Sequence, residues 1–294
     1  MLRGPMGGRP VATMQASPFG GLLRHWRTLR RMSQLDLGLQ AEVSSRHLSF
    51  IETGRARPSR EMVLILSSVL DVPLRERNTL LQAAGFAPVY RETRLEDPQM
   101  AEMRRALELI LQQHGPLGGA VAFDRSWDIV MANAAYVRIT SALLGTRSEM
   151  KPLTLIPPPR PNMLRMTFDP AGLRPHILNW ETVAADLLSR VRREAVWSQD
   201  AGIWDLLREV LSYPGVPARW REPDFEAHTA MILPVEIGIA GECLRVFSTI
   251  TTLGTPQDIT LQELRIESFH AADERSERLA RQILNGEGTE PAPR

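Results

Sequence analysis

The side chains best suited to recognition chemistry crowd into one short stretch, Ser44-Ser45-Arg46-His47-Leu48-Ser49-Phe50-Ile51. At helical spacing Leu48 and Ile51 fall on one face, which leaves hydroxyl and guanidinium groups on the other. Such an outward row offers donors and acceptors of the kind that read base edges in a nucleic-acid groove. Catalytic constellations are absent. The chain has no Walker loop, Gly-x-Gly-x-x-Gly, His-Glu-x-x-His or Gly-x-Ser-x-Gly. Its six histidines (25, 47, 114, 176, 228 and 270) never fall at the i, i+2 or i, i+4 spacing that a metal site on one strand or helix prefers. Cys243 is the single cysteine, which excludes an intrachain disulfide and a cysteine metal cluster. It reads either as an inert thiol or as a redox sensor.

The elements that must position these groups follow from local signals. Ser33 and Ser44 each precede a helical run, and a serine hydroxyl there accepts an otherwise unpaired backbone N–H. Leu37 falls on the inner face of the first run, and Gly38 is small enough for two crossed helices to approach. Two short helices joined by a tight turn form a helix-turn-helix, whose second helix enters the DNA major groove. Upstream, Leu22, Leu23, Trp26 and Leu29 recur at spacings of three and four within 19–31, predicting an amphipathic helix with a basic outer surface. Pro58-Ser59 opens a fourth helix, and Pro73 suits the first turn of a fifth that stops at Gly85. Residues 1–90 carry 12 Arg and 6 acidic side chains, a net +6, whereas 91–294 are net −5. A basic N-terminal third fits a phosphate-facing domain joined to something different. No apolar run approaches the ~18 residues of a membrane span, and residues 1–21 lack the apolar segment of a secretory signal.

Leu29-Arg30, Ser33-Gln34, Leu37-Gly38, Val43-Ser44, Ile51-Glu52-Thr53-Gly54-Arg55 and Pro58-Ser59 together give this region its resemblance to the phage-repressor/Cro-like (XRE-type) helix-turn-helix family. One departure is Glu42, which stands where the family has a turn glycine and therefore places a side chain at positive φ. The resemblance implies that Ser45, Arg46, Ser49 and Phe50 face the bases. It also implies that Gln34, Ser44, His47, Arg55 and Arg57 meet phosphates. Arg46 would fork onto guanine. Phe50 either contacts a thymine methyl or packs inward, and His47 either approaches a phosphate or is solvated. Glu52 is expected to pair within the fold, with Arg30 or Arg31.

Beyond residue 86 the pattern changes. Residues 87–97 are polar and charged and read as a linker. Met100 to Leu111 predict a helix ended by Gly115-Pro116, and Ala120–Phe123 with Trp127–Met131 predict a hairpin. Helices follow to Leu144, over Trp180–Arg193 and over Ile203–Leu211. Strands are expected at Thr229–Pro234, Leu244–Leu253 and Leu264–Phe269, and Asp273 caps a last helix to about Leu284. Five strands, two before the helices and three after, predict one antiparallel sheet covered on one side by helices.

This order resembles a PAS-like sensor. Trp127-Asp128, Ala132-Asn133, Asn162-Met163-Leu164, Phe168-Asp169-Pro170, Asn179-Trp180-Glu181, Phe247-Ser248-Thr249 and Thr252-Leu253-Gly254-Thr255-Pro256 make it similar to the ligand-binding domain of MmyB-like transcription regulators. His228-Thr229 lacks the proline of that family's His-Pro pair. The resemblance implies a pocket for a small apolar effector, fatty acyl molecules foremost, and no cofactor. Met163, Leu164, Phe168, Trp180 and Leu187 are the candidate lining, although the same stripe fits ordinary core. Arg165 or Arg174 would meet a carboxylate head or stay on the surface.

The expected fold class is an all-α five-helix helix-turn-helix domain followed by an α+β PAS-like domain. The expected boundaries are a flexible arm at 1–17, the DNA-binding domain at 18–86, the linker at 87–97, a ligand-binding and dimerisation domain at 98–285 and a disordered tail at 286–294. The expected activity is that of a cytoplasmic, homodimeric regulator binding double-stranded DNA at an inverted repeat. An antitoxin-type autorepressor with a protein partner and a DNA-tethered enzyme are the alternatives.

Overall fold

A computed structural model describes residues 18–113, 118–145, 150–198, 200–222, 234–239, 241–254 and 256–285. The expected arm, the tail, the helix stop at Gly115-Pro116, His228-Thr229 and most of the strand expected at Thr229–Pro234 lie outside them. The chain divides into two compact units. The first runs to Glu92 and includes Gln257–Ile259; the second runs from Thr93 to Pro256 and resumes at Thr260.

Five helices build the first unit: α1 Pro18–Leu29, α2 Gln34–Ala41, α3 Ser45–Glu52, α4 Arg60–Val69 and α5 Leu74–Ala83. Serine caps start three of them. Ser33 caps α2 and forms a reciprocal box with Asp36, Ser44 caps α3, and Ser59 caps α4. Leu23, Leu37, Leu48, Ile51, Leu66 and Leu70 are fully buried in the shared core. Two glycines set how closely the helices cross. A Cβ on Gly20 would lie 2.5 Å from the Glu52 carbonyl, and one on Gly38 would lie 2.5 Å from the Val43 carbonyl. Glu42 ends α2 in the left-handed region at φ 56°, so the turn keeps its usual shape at the cost of a strained non-glycine residue. Residues 89–92 continue along α5. Asn78 bonds the backbone of Val89 and Tyr90, and Arg75 pairs with Glu92.

The second unit is α+β. Its strands are β1 Ala120–Phe123, β2 Ile129–Ala132, β3 Val235–Ile239, β4 Glu242–Thr252 and β5 Arg265–Ala271. They form one antiparallel sheet in the order β2-β1-β5-β4-β3. Its helices are α6 Ala101–Gln113, α7 Ala134–Leu144, α8 Met163–Phe168, α9 Trp180–Ser198, α10 Ala201–Leu211, the short α11 Ile259–Glu263 and α12 Glu274–Asn285. The expected one-sided cover is corrected. Ala120 and Ala122 pack on Leu107 and Leu111 of α6, while Val121 of the opposite face packs with Tyr136 and Val137 of α7. Side chains alternate across a strand, so β1 is buried on both faces. Of the strand expected at Thr229–Pro234 only Pro234 is described, and it precedes β3, which begins at Val235; proline has no N–H to give a ladder. The side chain of Asp273 caps α12 by accepting from the Ser276 amide at 2.8 Å.

Candidate nucleic-acid interface and ligand cavity

Helix α3 is anchored from beneath by one carboxylate. Glu52 is fully buried. Arg27 grips it through Nε at 2.7 Å and Nη2 at 3.0 Å, Arg24 donates at 3.3 Å, and Gln34 Nε2 donates at 2.8 Å. Burial alone would favour the neutral carboxyl. The bonds from Arg27 and Gln34, the Arg27 charge and the bond from Arg24 overcome it and hold Glu52 below the usual carboxylate range. The expected pairing with Arg30 or Arg31 is corrected. Close approach at Gly20 brings the face of α1 that bears Arg24 and Arg27 over the end of α3. Arg30 instead donates to the Leu70 and Asp71 carbonyls at the end of α4, and Arg31 stands past the helix at φ 56°.

Above this anchor the outward side of α3 is polar. Arg46 is exposed, and Ser45, His47, Ser49 and Phe50 are half-buried. Ser44 Oγ accepts the His47 amide at 3.2 Å, so its hydroxyl hydrogen remains available as a donor. The Phe50 ring carries two cations, with Arg46 5.5 Å and Arg55 6.0 Å from its centre. Such contacts are worth about 0.5–1 kcal/mol at exposed sites, enough to bias both guanidinium groups toward one surface. The Arg55 and Ala56 amides donate to the Phe50 carbonyl at 2.7 and 3.1 Å, which folds the following loop back onto α3. Arg57 is exposed on that loop. Of the expected phosphate contacts, Gln34 is half-buried and commits one amide hydrogen to Glu52.

A second site lies within the sensor unit. A cavity of about 450 Å³ separates the sheet from its helices. Val235, Ile237, Leu244, Val246, Ser248, Ile250, Glu267 and Phe269 line it from β3, β4 and β5. Tyr136, Ile139, Thr140 and Leu143 line it from α7, and Val183, Asp186, Leu187 and Arg190 from α9. Met163 and Leu187 are therefore lining residues. Leu164, Phe168 and Trp180 instead belong to a core cluster with Phe123, Trp127 and Leu188. Aromatic packing accounts for that placement, since the Trp180 ring lies 5.8 Å from Phe168 and 5.4 Å from Trp220. Arg165 is engaged by both oxygens of Glu209, and Arg174 bonds the Pro214 and Gly215 carbonyls and covers Trp180. Neither lines the cavity.

The lining cation is Arg190. Its guanidinium lies 4.6 Å over the Trp127 ring. Trp127 is fixed by an indole bond to Glu194 at 3.1 Å, and Glu194 accepts from Arg265 at 2.6 Å. Burial lowers the Arg190 pKa, against the opposing pull of Glu267 and Glu194. Arg190 Nη2 and Glu267 Oε2 are both buried without a hydrogen-bond partner, and Glu267 is 5% exposed. A buried polar group left unpaired costs about 1–3 kcal/mol. Burial, then the Glu267 charge, raises the Tyr136 hydroxyl pKa above its usual range, so that group is a neutral donor. Sequence reasoning missed this polar wall, although two signals were present. Asp186 and Arg190 share the α9 face of Val183 and Leu187, and Glu267 alternates with Phe269 on one face of β5.

Among the described residues no group of His, Cys, Asp and Glu side chains forms a metal site, and no helix is long and apolar enough to cross a membrane. A family model for the MmyB-like transcription regulator ligand binding domain matches residues 103–283, and one for a helix-turn-helix domain matches residues 18–80. The comparison with curated proteins gives no match.

Proposed function

The chain belongs to the MmyB-like transcription regulators, a DNA-binding helix-turn-helix joined to a ligand-binding domain, and on that premise we propose that it binds an inverted repeat as a homodimer in the cytoplasm. The effector is a small, largely apolar molecule of fatty acyl type. The proposed working parts are residues 18–86 for DNA, 87–97 as linker, and 98–285 for ligand and dimerisation. Ser45, Arg46, Ser49 and Phe50 face bases, and Gln34, Ser44, His47, Arg55 and Arg57 face phosphates. Two copies would set their α3 helices about 34 Å apart, one turn of duplex.

The observation that carries this reading is the polar, solvent-facing α3 braced by the buried Glu52 cluster. An exposed polar helix on a charge-locked base suits rigid presentation to a groove. The mostly apolar cavity supports the effector, which acts by favouring one arrangement of the paired recognition helices. Linkage then requires that DNA change effector affinity by the factor by which effector changes DNA affinity. Selection of binding sequences from a random duplex pool, with sedimentation of the resulting complex, tests the reading. The expected result is an inverted repeat holding two chains; a single half-site holding one chain would overturn it.

A further inference from the structure

The cavity wall combines groups that a purely apolar ligand would leave unsatisfied. Arg190 and Glu267 both line it, and each retains one buried polar atom without a partner, a donor on Arg190 and an acceptor on Glu267. Asp186 lines the same wall one helical turn before Arg190. The charged lining is therefore two carboxylates and one guanidinium, with His176 the remaining titratable base. A carboxylate head would satisfy Arg190 but bring a third negative group beside Glu267. A neutral head that both accepts and donates satisfies both atoms. Trp127 covers one face of the Arg190 guanidinium and Glu194 lies 3.9 Å from its Nε, which leaves Nη2 as the atom without a partner.

We propose that the cavity recognises an amphiphile whose head is a neutral donor–acceptor group, an amide or a hydroxyl, bound between Arg190 and Glu267. This rests on the reading of the domain as a sensor of apolar small molecules, and it excludes the free fatty carboxylate as the preferred form. A volume of about 450 Å³ holds on the order of 15 non-hydrogen atoms at roughly 30 Å³ each, the share of one water in the liquid. A ten-carbon chain with a small head fits that limit. Specificity would come mainly from leaving a buried carboxylate facing a charge of its own sign when the wrong head enters.

The test is calorimetric titration of the full chain with decanamide, decanoate and 1-decanol. Decanamide and decanoate share chain length and head shape and differ in charge. The wild-type protein is expected to bind decanamide at least about tenfold more tightly than decanoate, with decanol nearer the amide. In Glu267→Gln the new amide can donate to a carboxylate, so decanoate should equal or exceed decanamide. Arg190→Met should weaken all three probes. Decanoate binding as tightly as decanamide to the wild type would overturn the neutral-head assignment while leaving the lipid sensor in place. Failure of all three probes to bind would overturn both. Should Glu267→Gln lose its cooperative melt, the wild-type ratio of amide to acid decides alone.

Discussion

Two buried carboxylates divide this molecule by purpose. Glu52 in the helix-turn-helix unit has Arg24, Arg27 and Gln34 around it. Glu267 in the sensor unit has one oxygen with no partner, and the lining Arg190 has one unpartnered nitrogen. A buried ionic cluster that is fully bonded holds geometry, whereas a buried polar pair left open is an expense that a ligand can remove. The first unit therefore spends its charge on rigidity and the second on reception.

The largest effect should come from breaking the satisfied cluster. Glu52→Ala leaves Arg27 largely buried and unpaired, and we expect a loss of about 3–5 kcal/mol of stability in the helix-turn-helix unit, measured by denaturant unfolding of residues 18–92. Acid should reach the same cluster more gently. The folded pKa of Glu52 is depressed below its ordinary 4.5, so its contribution is complete above the unfolded value and is lost as the pH falls through the folded one. Unfolding midpoints below about pH 4.5 should therefore fall more steeply in the wild type than in Glu52→Gln.

At the DNA-facing surface the expected effects are smaller and differ in kind. Arg46→Ala should reduce discrimination between selected and scrambled duplex by about 1–3 kcal/mol; equal losses on both would reassign Arg46 to phosphate contact. Arg57→Ala should weaken both duplexes alike and lower the slope of log K against log salt by about 1. An unchanged slope would remove Arg57 from the interface.

The two units also differ in how far their sequence could be read. The helix-turn-helix was legible residue by residue because its signals are local: Ser33, Ser44 and Ser59 cap helices, and Glu42 takes the left-handed turn. The partners of Glu52 were not legible, since they depend on how closely α1 crosses α3, and Gly20 decides that in space. In the sensor, the five longer helices α6, α7, α9, α10 and α12 and the β4–β5 pair follow from periodicity, whereas the short α8 and α11 do not. Strand β3 at Val235–Ile239 was not read from the sequence, because Val-Glu-Ile-Gly-Ile is short and interrupted by Glu236 and Gly238, and its ladder with β4 is what fixes it. The cavity was harder still. Met163, Leu164, Phe168, Trp180 and Leu187 form one apolar stripe in sequence, and packing alone sends Met163 and Leu187 to the cavity and the other three to the core. Arg190 and Glu267 lie far apart in sequence and line one cavity only in the folded chain.

Hydrogen exchange, read peptide by peptide in Glu52→Gln and Glu267→Gln, sets the two carboxylates side by side. Glu52→Gln is expected to speed exchange of the α1 and α3 amides at least about tenfold, while Glu267→Gln leaves the β5 amides within about threefold of wild type or slower. Faster exchange in β5 with α1 and α3 unmoved would contradict it, because Glu267 would then be the structural charge and Glu52 the dispensable one.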